Sequence, residues 1–274
     1  MSKPTKLSDI LIMSDLDGTL LPVPTQGTPP RNTLAAQRFV DKGGRFGIAT
    51  GRSILITDHL LAQLPINFPS IVLNGGAIYD FATKKYLNKI FLPEVALGYA
   101  QQFHADFPDV GVIFVDEDKY IDIDGISGTK HPGIYPNPLL TPAGFERVSK
   151  LVFKIVFIVT PQQGEQLVEY SRQHSFPGVR FVFSDKHMFE MLPENSSKGL
   201  AMETIAKMAG VTRENIVAIG DYYNDIEMLE YAGLGVAPED APDDIKSVAQ
   251  MVVCPCAQGA LGDLIERLEA MYAY

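Results

Sequence analysis

The chain reads as an α/β protein, a parallel sheet with helical crossovers interrupted midway by a unit of the α+β kind. Three features of the sequence lead there. Short apolar runs alternate with stretches at helical spacing in the first and last thirds. In the middle third, strand-like runs follow one another with few helices between them. Polar clusters stand directly behind the core strands rather than within them, where the carboxyl ends of a parallel sheet would share one rim.

The elements follow in order. Asp9 to Met13 is an apolar run suited to a strand buried on both faces. Asn32 to Lys42 has helical spacing and stops at Gly43-Gly44. Arg45 to Ala49 is strand-like, Ser53 to Leu64 helical and Ser70 to Leu73 a third strand, a βαβαβ order that predicts parallel pairing. A hairpin is expected over Ala77 to Leu92, then a helix over Val95 to Phe107 and adjacent strands at Val110 to Val115 and Lys119 to Ile123. Gly125 to Pro138 is rich in Gly and Pro and reads as a loop. Leu151 to Thr160 is a strand, Gln162 to His174 a helix, and Val179 to Ser184 and Met188 to Leu192 two further strands. Tyr99, Phe103 and Phe107 share a helical face and are expected in a core, with His104 exposed.

The last third returns to the first grammar. Helices are expected at Lys198 to Ala209, Asp225 to Tyr231, Asp243 to Ala249 and Gly259 to Met271. Strands are expected at Asn215 to Ile219, Leu234 to Ala237 and Met251 to Val253. The chain therefore divides into a discontinuous core, residues 1–82 and 191–274, and an insertion, residues 83–190.

Acidic side chains outnumber basic ones by 33 to 23, and the net charge of −10 disfavours binding to nucleic acid or anionic lipid. A phosphate ester could bind only where a metal or local cations reverse that field. Cys254 and Cys256 are too close for an unstrained disulfide and too few for a zinc site. No apolar run has the length of a signal peptide or a membrane span, so a cytoplasmic setting is expected.

Four polar clusters carry the chemistry. Asp15 and Asp17 lie two residues apart on a strand-to-turn segment, so both can face one cleft. Gly18 permits the tight turn and, with Thr19, leaves backbone N–H groups for an oxyanion. Paired carboxylates can divide the work of nucleophile and general acid–base. Thr50, Gly51 and Arg52 follow the second strand, with Thr50 offering a hydroxyl and a backbone N–H. Asn74 and Gly75 follow the third. Gly220 to Asp225 contributes a third carboxylate, Asp221, together with Asn224 and Asp225. Three carboxylates together repel one another, and Mg²⁺ would relieve that repulsion while attracting a phosphate dianion. Lys198 at a helix start adds a fixed positive charge. Each cluster alone is ordinary turn or helix chemistry. All of them in this order, each at an element boundary, is not.

The run Asp15-Leu16-Asp17-Gly18-Thr19-Leu20-Leu21, then Thr50-Gly51-Arg52, Lys198-Gly199 and Gly220-Asp221-Tyr222-Tyr223-Asn224-Asp225, resembles the four ordered motifs of the haloacid dehalogenase-like (HAD) hydrolases. The resemblance is closest to the Cof-type, subclass IIB branch, which carries a large cap between the second and third motifs. About 150 residues separate Thr50 from Lys198, room for such a domain. The resemblance implies a Rossmann-like core with an inserted α+β cap of C2B type, and Mg²⁺-dependent hydrolysis of small phosphorylated metabolites, sugar phosphates foremost. It implies that Asp15 takes the phosphoryl group and Asp17 serves as acid and base. Thr50 and Lys198 would hold the phosphoryl group, with Gly18, Thr19, Gly51, Arg52, Asn74, Gly75 and Asn224 around it. Mg²⁺ would sit on Asp15, the Asp17 main-chain carbonyl and Asp221, and Asn224 and Asp225 would position the metal shell, Lys198 or the phosphate. A phosphosugar mutase on the same scaffold, or a non-catalytic phosphometabolite binder, would carry the same first motif. In the insertion, Lys130, His131 and Tyr135 are candidates for leaving-group recognition, although a surface connection is the plainer reading. The proline-laden stretch Pro22 to Pro30 and the Tyr222-Tyr223 pair depart from the plain motif.

Overall fold

The computed structural model describes residues 6–22, 27–61, 63–130 and 139–272. Contacts divide the chain into two compact units, Met1–Asn88 with Ser197–Tyr274, and Lys89–Ser196.

The first unit opens with β1 (Leu11–Ser14), α1 (Pro30–Asp41), β2 (Arg45–Ile48), α2 (Ile54–Leu61), β3 (Ser70–Val72), β4 (Ala77–Asp80) and β5 (Lys85–Lys89). The chain passes through the second unit, described below, and returns to the first at Ser197. The second unit holds α3 (Ala96–Asp106), β6 (Gly111–Asp116), β7 (Tyr120–Ile123), α4 (Ile126–Lys130), β8 (Leu140–Ala143), β9 (Val152–Ile158), α5 (Pro161–Gln173), β10 (Val179–Asp185) and β11 (Met188–Pro193). The first unit is then completed by α6 (Lys198–Ala209), β12 (Ile216–Ile219), α7 (Ile226–Tyr231), β13 (Leu234–Pro238), α8 (Asp243–Val248), β14 (Met251–Val253) and α9 (Ala260–Met271).

The core sheet runs β14-β13-β12-β1-β2 with every pair parallel. Its inner strand β1, flanked by β12 and β2, is apolar on both faces because both are covered. Ile10 and Ile12 pack with Phe39, Phe46, Leu261 and Leu264 from the α1 and α9 side. Leu11 and Met13 pack with Met202, Ile205 and Met228 from the α6 and α7 side. Both layers bury their side chains almost completely, so the ends of β1 and β12 are fixed points from which loops can project.

The expected third parallel strand is only partly realised. β3 touches the end of β2 through one bridge, Ala49 to Ile71, and otherwise belongs to a separate sheet, β3-β4-β5. The reason lies on the outer edge of β2. The Phe46 N–H donates to the Asn67 side chain at 2.7 Å and the Ile48 N–H to the Ser70 hydroxyl at 3.1 Å. Side chains there take the place of a backbone ladder.

The second unit is a six-stranded sheet in the order β10-β11-β9-β6-β7-β8. Its pairs are antiparallel except β7 with β8, which are parallel. Phe103 of α3 and Leu167 of α5 cover one face, and Tyr99 and Phe107 pack against that cluster. Three departures from the sequence reading appear here. β8, where no strand is expected, carries Pro142, tolerated because β8 lies at the sheet edge. Gly125 to Pro138 is not all loop, since α4 occupies Ile126–Lys130, where the Asp122 carboxylate accepts the N–H groups of Ser127 and Gly128. Within that stretch His131 and Tyr135 lie outside the described residues, as does part of Pro22 to Pro30, and Lys130 pairs with Asp109 at 3.1 Å. His104 is half-buried rather than exposed, with Nε2 3.5 Å from the Asp124 carboxylate and its ring against Phe145. Among the described residues no helix is long and apolar enough to cross a membrane.

Candidate active site

The first unit gathers its polar clusters at the carboxyl ends of β1, β2 and β12, together with the start of α6. Asp15 follows β1 and its N–H donates to the Ile219 carbonyl at 2.8 Å, so the first and last clusters are tied by the β1–β12 ladder itself. The next turn is closed by Gly18, which adopts a left-handed φ of +86°. A Cβ at this position would lie 2.7 Å from Cγ of Asp221, so glycine is what lets that carboxylate approach the first loop. Thr19, fully buried, donates its hydroxyl to Asp221 Oδ1 at 2.8 Å.

Lys198 is the first residue of α6, and Ser197 caps that helix by accepting the Leu200 N–H at 3.1 Å. The lysine is 1% exposed. Its ammonium donates to Asp15 Oδ1 at 2.5 Å and to Asp225 Oδ1 at 2.6 Å. The other oxygen of Asp225 accepts the N–H groups of Asp221 and Tyr222 at 3.0 and 3.1 Å. Asp225 therefore aims the lysine at Asp15 and holds the Asp221 loop in the same contact.

One ligand oxygen from each of Asp15, Asp221 and Asp225 lies within 4.8 Å of the others. The electrostatic consequence is severe. Burial lifts the Asp15 carboxyl well above the usual carboxylate range despite the Lys198 ammonium, and Asp225, Asp221 and Asp17 push it the same way. Burial and the Asp225 charge raise Asp221 to about 7 against the pull of the Thr19 hydroxyl and of Lys198. Burial alone would depress the Lys198 ammonium, but the carboxylates of Asp15 and Asp225 override it and raise its pKa. The cluster thus holds more negative charge than one lysine neutralises. Its donors are hard oxygens, which suits Mg²⁺. Since both oxygens of Asp225 are already engaged, Asp15 and Asp221 are the carboxylates best placed to take such an ion.

The remaining clusters complete the rim. Thr50 is fully buried, and its hydroxyl accepts the Arg52 N–H at 3.1 Å. Its own backbone N–H donates to the Ile71 carbonyl at 2.9 Å, so the expectation that this N–H would serve a ligand fails. Leu73 and Asn74 take left-handed φ values of 57° and 53°, turning the chain back toward Thr50, whose carbonyl accepts the Asn74 N–H at 3.0 Å. The Asn74 side-chain carbonyl accepts Asn224 Nδ2 at 2.9 Å, linking the third and fourth clusters. Gly51 and Gly75 are close-approach positions: a Cβ would come 3.0 Å from Asn74 Nδ2 at the first and 2.9 Å from the Ser197 nitrogen at the second.

The residues of the four motifs, with Asn74 and Gly75, all lie in this one unit, whereas Lys130 belongs to the other. Asp225 touches the lysine directly, one of the positions expected of it. Two further relations are not evident from the sequence motifs. Arg52 grips Asp17, with Nε to Oδ2 at 2.7 Å and Nη2 to Oδ1 at 2.6 Å. Ser197 both caps α6 and donates to the Glu227 carboxylate. A serine immediately before a helix start is a capping signal, and it is present in the sequence.

The haloacid dehalogenase-like hydrolase family matches residues 12–265. The chain is 27% identical to pyridoxal phosphate phosphatase YbhA of Escherichia coli, over 89% of this chain and 92% of that protein. It is also 27% identical to 5-amino-6-(5-phospho-D-ribitylamino)uracil phosphatase YwtE of Bacillus subtilis, over 94% and 97% respectively. Among solved structures, a sugar phosphatase of HAD subclass IIB superposes with a TM-score of 0.80 at 22% identity, covering 94% of this chain and 98% of that one. A phosphatase of the same superfamily from Bacteroides thetaiotaomicron gives 0.78 at 22% identity, covering 94% of each.

Proposed function

The chain belongs to the haloacid dehalogenase-like hydrolases, and we propose that it hydrolyses phosphate monoesters of small metabolites with Mg²⁺ through an aspartyl-phosphate on Asp15. The observation that carries this reading is the buried Lys198 ammonium held between Asp15 and Asp225, with Asp221 alongside. Asp15 attacks phosphorus, and the P–O bond to the leaving group breaks as the P–Oδ bond forms. Asp17 gives its proton to the leaving oxygen. It then takes a proton from the water that attacks the phospho-aspartate, so that inorganic phosphate leaves and both carboxyl groups are restored. Lys198 and Thr50 hold the phosphoryl oxygens; the Gly18 N–H, expected to serve the same oxyanion, is taken by the Leu21 carbonyl at 2.8 Å.

Asp15, Asp221 and the Asp17 main-chain carbonyl would hold Mg²⁺, which when bound supplies positive charge to the three carboxylates and to the transferring group. Among substrates, relatives that act on pyridoxal phosphate and on a phosphoribitylamino-uracil, and a fold shared with a sugar phosphatase, support esters of small polyhydroxylated or heterocyclic alcohols. Sugar phosphates stand first.

The test is release of inorganic phosphate from a panel of sugar phosphates and pyridoxal 5′-phosphate, with Mg²⁺ and with excess chelator. Turnover is expected for at least one ester, lost with chelator and lost in Asp15→Asn. Undiminished turnover in that variant would falsify the nucleophile assignment, and isomerised ester without phosphate release would exclude hydrolysis.

A further inference from the structure

The Arg52 guanidinium lies against the Asp17 carboxylate as a fork, each oxygen accepting one N–H at 2.6–2.7 Å. Such a pair fixes the plane of the carboxylate as well as its position. The backbone that carries the fork is itself fixed. The Arg52 N–H donates to the Thr50 hydroxyl at 3.1 Å, and the Arg52 carbonyl accepts the Leu73 N–H at 3.0 Å. Both side chains are about one-third exposed, at 28% and 35%, so the fork is reachable by water. The arginine therefore contacts the carboxylate that moves protons, whereas its place beside Thr50 in the second motif had suggested a contact to phosphate.

We propose that Arg52 is the positioning residue for Asp17 in the second half of the reaction, holding it as the carboxylate oriented toward the attacking water. The proposal rests on the acid–base reading of Asp17 given above. With both oxygens accepting from arginine, Asp17 presents no proton to a leaving group in this arrangement. It is the form left after the proton has gone to the leaving oxygen. Water then attacks the phosphorus of the phospho-aspartate, the P–Oδ bond to Asp15 breaks, and the proton of the water passes to Asp17, which must slip one oxygen from the fork to receive it. Protonated Asp17, with one oxygen now a donor, is the acid for the next ester. Arg52 thus sets the plane and position of the carboxylate that receives the water's proton.

The test separates the two half-reactions in rapid-quench experiments with Mg²⁺ and p-nitrophenyl phosphate, whose leaving group needs little protonation. Arg52→Ala and Arg52→Lys are compared with the native enzyme and with Asp17→Asn, and each variant is first shown to be folded by its melting curve. Nitrophenol release in the first turnover is expected to change by less than about tenfold in Arg52→Ala, while steady-state turnover falls on the order of 10²-fold and acid-trapped phosphoenzyme accumulates. Arg52→Lys, which keeps the charge but not the fork, should recover only part of the loss. In an Asp17→Asn background, Arg52→Ala should cost little more, because the two act as one unit. A slowed first turnover with a raised KM and no trapped phosphoenzyme would overturn the proposal and make Arg52 a grip on the phosphoryl group. Losses that add in the double variant would overturn it as well. If the native enzyme forms no acid-trapped phosphoenzyme under single-turnover conditions, the aspartyl-phosphate reading itself is what fails.

Discussion

Gly18 carries two constraints at once, a left-handed backbone and the absence of a Cβ where the Asp221 carboxylate approaches. Gly18→Ala should therefore act on the metal site. The new methyl would displace Asp221, and the positive φ adds strain of about 1 kcal/mol or more. The expected result is a Mg²⁺ requirement raised on the order of tenfold or more, as for other changes beside metal ligands, in a protein that still folds. A Mg²⁺ titration of activity checks it, and an unchanged midpoint would show that Asp221 takes no part in holding the ion. At this scale much was legible: Asp15, Thr19 and Asp221 are brought together because β1 and β12 are neighbours, and neighbouring strands follow from the βαβ order. The side-chain partnerships were not legible. Whether Arg52 turns to phosphate or to Asp17, and whether Asp225 meets Lys198 or stands behind Asp221, depends on rotamers that spacing along the chain leaves open.

Among the elements, α6 matters most, since its first residue is the buried lysine. Its start is fixed by Ser197, which accepts the Leu200 N–H and donates to the Glu227 carboxylate, and by Gly75, whose missing side chain lets the Ser197 backbone pack close. Ser197→Ala removes the cap and leaves Glu227 without that donor, and should cost about 1 kcal/mol of stability. Urea unfolding should show a lower midpoint with an unchanged slope. An unaltered midpoint would mean that water replaces the serine without loss. The bounds of α6 and β14 match their sequence patterns because each is set by local signals, a serine cap and a closing glycine for the helix and a short apolar run for the strand. β8 and α4 escaped because Pro142 and the glycines at 125 and 128 signal turns, whereas the parallel pairing of β8 with β7 and the Asp122 carboxylate at the start of α4 are tertiary contacts. From its sequence β3 reads as an equal member of the parallel sheet, since nothing in its apolar run reveals that Asn67 and Ser70 occupy the edge of β2.

For the molecule as a whole, the acidic cluster should make stability depend on pH and Mg²⁺ together. Asp15 and Asp221 both have folded pKa values raised above the ordinary carboxylate range, Asp221 to about 7, chiefly through burial. Between the unfolded and folded values the native state binds more protons than the unfolded one, so unfolding free energy falls as pH rises through that window. The carboxylates lowered by their partners, Asp263 by the Cys254 N–H and by Arg267 against its own burial, and Glu266 by Arg31, contribute in the opposite sense, but below the ordinary carboxylate pKa. The metal-free protein should therefore melt at a lower temperature at pH 8 than at pH 5.5. Mg²⁺, which binds the deprotonated cluster, should raise the melting temperature strongly at pH 8 and little at pH 5.5. Asp221→Asn removes one titrating group and its charge, so it should flatten the metal-free slope and weaken the Mg²⁺ response in the same protein. Melting curves at both pH values, with chelator and with Mg²⁺, check the sign directly. A metal-free protein that grows more stable from pH 5.5 to pH 8 would mean that the buried carboxylates are already neutralised by protein groups alone, and the case for a cation among them would lose its electrostatic basis.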